Sequence, residues 1–283
     1  MEIMKIGALD SSLHQPLEIT VGKFAEMGLQ GIQINTTRDA LGITDARLAE
    51  IKKMCADNGL AISAVCGMIS GVRFGVRSEW RKSVEVFRTI IENAAKLGSH
   101  VVTTHIGVVP DDPASEVFSI MVQSMGACAE YAATCDAVLA IETGPEKPET
   151  LLNLLRAVNS RGLGVNLDPA NLRMVASVDP VHAVEVLGEY IVHTHAKDGN
   201  NLYPGSPAAF YGVYDADGTP RKVPEKRAEF EEVPLGQGQV PWDGYLAALK
   251  NCGYDGFLTI ERECGPDPEG DIRLALNFLK TKI

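Results

Sequence analysis

Eight short apolar runs, each followed by a stretch with helical spacing, recur along the chain, and this alternation restricts the fold more than any other feature. The runs are IMKIGAL (3–9), GIQINT (31–36), AISAVCGM (61–68), HVVTTHIG (100–107), AVLAIET (137–143), GVNLD (164–168), IVHTHAK (191–197) and GFLTIE (256–261). Between them, segments such as LEITVGKFAEMG, DARLAEIKKMCADNG and EWRKSVEVFRTIIENAAKLG place apolar residues three and four apart, the helical repeat. Several of these segments stop at a glycine just before the next run: Gly28, Gly59, Gly98 and Gly253. Glycine adopts the left-handed conformation that closes a helix at little cost. Strand followed by helix, repeated, means parallel strands joined by crossover helices. Eight such units in 283 residues predict an α/β chain folded as one (β/α)8 TIM barrel over 1–283. An open doubly wound sheet is the competing architecture. No G-x-G-x-x-G or Walker A pattern follows any of the runs, which counts against it.

One segment breaks the rhythm. Residues 199–240 are rich in glycine, proline and charge and show no clean periodicity. They are expected to form a long insertion after the seventh strand, and long loops in compact domains usually serve as lids or binding loops. The remaining bulk properties exclude partners rather than name them. With 45% hydrophobic residues the chain has enough apolar material for a large core. A formal net charge of −11 disfavours nucleic acid, whose phosphates require clustered Lys and Arg. No apolar run approaches the ~18 residues of a membrane span, and MEIMKIGALD lacks the pattern of a signal peptide. None of the six cysteines forms a C-x-x-C pair, so reduced thiols and a cytoplasmic setting are expected. A homo-oligomer is compatible with these numbers, but no interface is legible.

In a barrel of this kind the active site lies at the C-terminal ends of the strands. The fifth run ends in Glu142, the sixth in Asp168, the seventh carries His195 and the eighth ends in Glu261. Parity puts each on the same strand face as a small or polar residue two positions earlier: Ala140, Asn166, His193 and Thr259. Three carboxylates converging in a barrel mouth repel one another, and a divalent cation removes that conflict, with an imidazole completing the set. Oxygen-rich ligation with one imidazole suits Mn²⁺ first, then Mg²⁺, with Co²⁺ and Zn²⁺ as alternatives. The stretch VHTHAKD (192–198) divides on the same grounds. His195 is expected on the metal, His193 one layer deeper as a structural histidine, and Lys197 beyond His195 on a substrate oxygen or in an ion pair with Asp198 or another rim acid. His105 and His14, which follow the fourth and first runs, are expected to line the substrate pocket, as Asn171 is after the sixth. Phe210 and Trp242 are read as either pocket walls or core, and Tyr203, Tyr211 and Tyr214 as residues by which the insertion encloses a substrate.

Strand-end Glu, Asp, His and Glu, H-x-K-D after the seventh strand, and PLGQGQVPW followed by GYDGFLTIE together resemble the sugar phosphate isomerase/epimerase superfamily of xylose isomerase-like TIM barrels. The resemblance covers nearly the whole chain. It implies one divalent metal on Glu142, Asp168, His195 and Glu261, with Glu142 and Glu261 also moving protons, as in the ketose 3-epimerases. Two positions depart from that pattern: Asn171 stands where those enzymes have a substrate-binding histidine, and Asn201 where they have an arginine. The DNA-repair branch, with three zinc ions, needs more histidines than the six present. The expected function is therefore a metal-dependent sugar isomerase or epimerase acting on a ketose or related keto-polyol through an enediolate. The alternatives are a lyase, acting as an inosose dehydratase or by β-elimination from a 3-keto-glycoside, and a non-catalytic carbohydrate-binding barrel.

Overall fold

The eight apolar runs lie side by side as parallel strands and close on themselves. The computed structural model describes residues 4–35 and 42–283; Ile3 and Thr36, the ends of two predicted runs, fall outside them. In chain order the elements are β1 (Lys5–Leu9), α1 (Leu17–Met27), β2 (Gly31–Asn35), α2 (Asp45–Asp57), β3 (Ala61–Cys66), α3 (Trp80–Leu97), β4 (Val101–Thr104), α4 (Glu116–Thr134), β5 (Val138–Glu142) and α5 (Pro148–Val158). They continue with β6 (Leu163–Leu167), the one-turn α6 (Pro169–Asn171), α7 (Pro180–Leu187), β7 (Ile191–Ala196), β8 (Asp198–Tyr203), α8 (Pro207–Tyr211), β9 (Glu229–Val233), α9 (Trp242–Asn251), β10 (Phe257–Ile260) and α10 (Pro268–Lys280). The barrel closes in the order β1-β10-β7-β6-β5-β4-β3-β2, so the eighth predicted run is β10. The glycines expected to stop helices all have left-handed backbones, with φ of 81° at Gly28, 71° at Gly59, 84° at Gly98 and 85° at Gly253.

Strands are shorter than the apolar runs where the neighbouring strand gives out. The β3–β4 ladder holds only Val65 against Val102 and Cys66 against Thr103, so the chain leaves the sheet after Cys66 and Thr104. His105 consequently stands on the rim rather than in the ladder. Helix residues such as Phe24, Phe87, Ile90 and Leu154 and strand residues such as Leu139 fill the layer between the barrel and its helices and are fully buried. The barrel lumen is polar instead. Gln33, Thr103, Asn166, His193 and Thr259 are buried in it, and Gln33, Thr103, His193 and Thr259 are linked by hydrogen bonds. His193 Nε2 lies 2.9 Å from both Gln33 Oε1 and Thr259 Oγ1, and Gln33 Nε2 donates to Thr103 Oγ1 at 3.1 Å. Burial, reinforced by the neighbouring His195, pushes His193 down to about 3, so it stays neutral.

The insertion is more ordered than its composition implied. β8 and β9 form an antiparallel hairpin pairing Asp198–Tyr203 with Glu229–Val233. Its base is pinned by Asp198. Oδ1 accepts from the amides of Gly199 (2.9 Å) and Val240 (3.2 Å), and Oδ2 from Gly236 (2.9 Å), Gly238 (3.2 Å) and the Trp242 indole (2.9 Å). This wrapping accounts for PLGQGQVPW. A Cβ at Gly238 would stand 2.1 Å from Asp198 Oδ1, and Gly236 has φ of 84°. The same contacts decide between two expected partners: Asp198 spends its charge on backbone amides and the Trp242 indole, and Lys197 pairs with other rim acids. They also place Trp242 in the core, edge-on to Tyr245 and Phe278.

Candidate metal centre and substrate cleft

Asp168 reaches the site because of the residues that follow it. It caps the turn Pro169–Asn171, accepting the Asn171 amide on Oδ1 at 2.8 Å, with proline at the first helical position as such a turn favours. The chain then widens into a π turn over Leu172–Ala176, an irregularity frequent at functional sites. The cap occupies one carboxylate oxygen and leaves the other, Oδ2, buried with no hydrogen-bond partner. That orphan oxygen lies 3.4 Å from His195 Nδ1. His195 Nδ1 is itself buried and without a hydrogen bond, and stands 3.6 Å from Glu142 Oε1 and 3.2 Å from Glu261 Oε2. The other ring nitrogen, Nε2, lies 3.2 Å from Gln33 Oε1. Asn166 Nδ2, which can only donate, lies at the same 3.2 Å from Nε2, so that nitrogen has a donor and an acceptor beside it, and Nδ1 is the nitrogen that faces the three carboxylates.

Barrel closure thus gathers Glu142, Asp168, His195 and Glu261 so that one ligand atom from each lies within 4.8 Å of the others. Ligands sharing one ion at roughly 2.1 Å stand about 3–4 Å apart, so the set is of the right size for a single cation. The chemistry fits as well: three carboxylates and one imidazole nitrogen, with two of these ligand atoms buried and orphaned, form a hard, oxygen-rich donor set. The electrostatics have the same sense. Burial opposes a charge on His195, but Glu261 and Glu142 outweigh it and raise the imidazole well above its ordinary range. The carboxylates therefore impose a positive charge at this point, which a proton or a metal ion can satisfy. Burial lifts Asp168, partly offset by His195 and Lys197. It opposes the charges of Glu142 and Glu261 too, yet His105 and His195 bring Glu142 down, and Lys197 and His195 hold Glu261 well below the carboxylate range.

Around this centre the cleft takes in all four residues expected to meet a substrate. His105 Nε2 lies 3.5 Å from Glu142 Oε1, and Asn171 Nδ2 donates to the same oxygen at 3.0 Å. Lys197, buried, holds Glu261 Oε2 at 3.2 Å and also contacts Glu263. His14 stands exposed at the mouth with φ of 52°. Phe210 and Tyr211 from α8 form a wall, edge to face with centroids 4.9 Å apart, and Phe210 also meets Phe230 at 5.1 Å. Tyr203 and Tyr214 are not brought here; Tyr203 is exposed on the hairpin. Asn201, which departs from the epimerase pattern, donates to the Met174 carbonyl at 2.7 Å, a structural contact.

Sequence reasoning missed Glu232. This β9 residue lines the cleft, pairs with Arg262 at 2.5 Å, and stands 3.8 Å from Lys197. The signal was present in EFEEV, where Phe230 and Glu232 alternate with exposed glutamates.

Comparison with known proteins agrees with this architecture. Residues 21–282 match the family model described as the xylose isomerase-like TIM barrel. The uncharacterized protein MJ1311 of Methanocaldococcus jannaschii is 26% identical over 192 residues, 64% of this chain and 57% of that protein, so the chain spans little more than half of this curated relative. Among solved structures, a xylose isomerase domain protein from Planctomyces limnophilus superposes with a TM-score of 0.78 at 23% identity, covering 99% of this chain and 96% of that one. A D-allulose 3-epimerase from Methylomonas sp., in complex with D-allulose, gives 0.73 at 17% identity over 100% and 98%. At these identities the two structures speak for the fold alone. The family match spans nearly the whole length, and the chain belongs to the xylose isomerase-like TIM barrel family.

Proposed function

We propose that the chain is a divalent-metal-dependent isomerase or epimerase of a keto sugar, working by removal of the proton on a carbon next to the carbonyl and its return to that carbon or to the carbonyl carbon. The observation that carries this reading is the placement of Glu142 and Glu261. They end β5 and border β10, which are separated in the ring by β6 and β7, so the two carboxylates approach the centre from well-separated sides of the mouth. Glu142, Asp168, His195 and Glu261 would hold the cation, with Mn²⁺ the first candidate among oxygen-seeking ions and Mg²⁺, Co²⁺ and Zn²⁺ its competitors. Bound there, it supplies Lewis acidity to the substrate carbonyl and lowers the cost of removing the neighbouring proton.

The rest is the work of the chain. One glutamate takes the α-proton and the other returns a proton from the far side, giving an epimer. His105 and Asn171 converge on Glu142 Oε1 and fix its orientation. Lys197 does the same for Glu261 and carries a positive charge within reach of developing negative charge on the substrate. Phe210, Tyr211 and Phe230 shield one side of the cleft from water. That neighbours in fold include an allulose epimerase supports this choice of chemistry without fixing the sugar.

The test is a panel of keto sugars incubated in D₂O with Mn²⁺ and followed by NMR. Deuterium should enter at the carbon α to the carbonyl. Glu142→Gln and Glu261→Gln should each lower the rate at least ~100-fold, the usual contribution of a general base or acid. Turnover without solvent deuterium, or full activity in both variants, overturns the reading.

A further inference from the structure

Tyr211 brings into the cleft a polar atom that has no part in the proton transfer. It ends α8 and lines the cleft together with Glu142 and Glu261. Its ring tilts against His105, with centroids 5.6 Å apart. Its hydroxyl drops against the loop that follows β5. A Cβ on Gly144 would stand 2.7 Å from the Tyr211 oxygen and 3.0 Å from Asn171 Cβ, and Gly144 has φ of 151° besides. Glycine is therefore required there on two counts, one of them room for this oxygen. Among the described residues the hydroxyl makes no hydrogen bond. The groups near it are already engaged: Glu142 Oε1 accepts from Asn171 Nδ2 at 3.0 Å, and Lys197 holds Glu261 and Glu263. Burial raises the phenol above its ordinary value, so the oxygen keeps its proton and donates. The segment that carries it is fixed. Phe210 packs edge to face on Tyr211 and on Phe230, with the Arg227 guanidinium 4.3 Å from its ring centroid. The Ser206 amide donates to the Lys226 carbonyl at 2.9 Å, and Gly212, with φ of 76°, closes α8.

We propose that Tyr211 determines specificity by donating a hydrogen bond to one non-reacting hydroxyl of the substrate, the hydroxyl on the Glu142 side of the cleft. The proposal rests on the proton-transfer reading above and deepens it. The carbonyl belongs at the four-ligand centre, so the acceptor for Tyr211 is another oxygen of the sugar. The tyrosine keeps its proton throughout, and the bond orients the carbon that faces Glu142. A sugar lacking that hydroxyl leaves the donor unmatched, and such a site discriminates against it. The insertion then has a specific task, since α8 carries the donor across the barrel mouth to the loop after β5.

The experiment pairs one change in the protein with one in the sugar. Tyr211→Phe removes the oxygen and keeps the aromatic wall. The sugars are the ketohexose of the panel that exchanges fastest and its mono-deoxy analogues at the non-reacting carbons. The readout is kcat/KM for deuterium exchange in D₂O with Mn²⁺. In wild type, loss of one particular hydroxyl should lower kcat/KM about three- to tenfold, the scale of one hydrogen bond between neutral groups. Tyr211→Phe should cost the parent sugar the same factor and that one analogue nothing, a coupling that a merely structural tyrosine does not produce. Equal losses for every sugar, or an unchanged rate with the parent, overturn the proposal and leave the catalytic reading standing. Calorimetric binding of the hexitols D-glucitol and galactitol, which have no carbonyl to react, separates the two claims further. If wild type exchanges no keto sugar yet binds a hexitol more tightly than Tyr211→Phe by that same factor, the hydrogen bond stands and the catalytic reading falls. No exchange and no difference in hexitol binding overturn both.

Discussion

Glu146 shows how a single side chain sets a pH dependence. It follows β5 in the loop GPEKP, is buried, and has one carboxyl oxygen without a partner. Burial pushes it from 4.5 up to about 8, against a small opposing contribution from the Val109 backbone. The folded form therefore keeps a proton that the unfolded chain gives up near its ordinary value. Between pH 4.5 and about 8 the native state binds one proton more than the unfolded state at this position. The linkage slope is then negative, and stability falls as pH rises, by up to about 1.4 kcal/mol per unit from this group alone. Glu146→Gln keeps the shape and removes the titration. Urea unfolding across that range should show a shallower decline for the variant, and the variant should be the more stable protein at pH 8. Parallel curves would mean that water or a neighbour already stabilises the carboxylate.

At the scale of elements the hairpin β8–β9 is the piece whose attachment can be tested separately from the barrel. Its hold on the cleft side is ionic. Glu232 on β9 meets Arg262 at 2.5 Å, and Arg262 also meets Asp271 of α10 at 2.8 Å. Removing Glu232 takes away one of the two carboxylates on Arg262 and leaves Asp271 as its partner, so the cost is below the ~3–5 kcal/mol of a buried charge left uncompensated. Glu232→Ala should therefore release the hairpin, with the amides of β8 and β9 exchanging hydrogen faster while those of β5, β6 and β7 keep their protection. Uniform loss of protection would show instead that hairpin and barrel open as one unit.

The same element marks the limit of what the amino-acid order discloses. The barrel strands are legible because each is a local apolar run closed by a local helix stop, as at Gly98 before β4. The four candidate metal ligands are legible because each ends or borders such a run, so topology alone brings them together. The hairpin is not. DGNNLY has low strand propensity, and its partner EFEEV is distant in sequence, so its pairing depends on Asp198 collecting the amides of Gly236, Gly238 and Val240. Gln33, which orients two histidines from across the barrel, is hidden for the same reason: nothing in GIQIN announces β7. A contact made by closure has no local signature. Lys197 shows the converse: adjacency offered Asp198 as one partner, but Asp198 turns to the Gly236 and Gly238 amides and Lys197 to the rim acids Glu261 and Glu263, which are distant in sequence.

On the scale of the molecule, the donor set exists only while the barrel is closed, because β5, β6, β7 and β10 each bring one member. An ion bound by all four residues therefore binds the native state and not the unfolded chain. Native-only binding adds stability in proportion to the logarithm of ion concentration over Kd, about 2.7 kcal/mol at a hundredfold excess. For a chain of this size that corresponds to a rise in Tm of roughly 5 °C. Mn²⁺ added to chelator-stripped protein should produce such a rise, and EDTA should reverse it. A chain of net charge −11 also attracts divalent ions diffusely, so a rise by itself does not locate the ion. Asp168→Asn supplies the control. It leaves an oxygen available to cap the turn through the Asn171 amide, yet removes the charge of the oxygen that now faces His195 Nδ1 without a partner. The variant should lose the Mn²⁺-dependent rise while keeping the smaller, salt-screened response of the surface acids. If wild type and variant gain equally, the ion sits elsewhere, and the three carboxylates are held together by His195 and Lys197 alone.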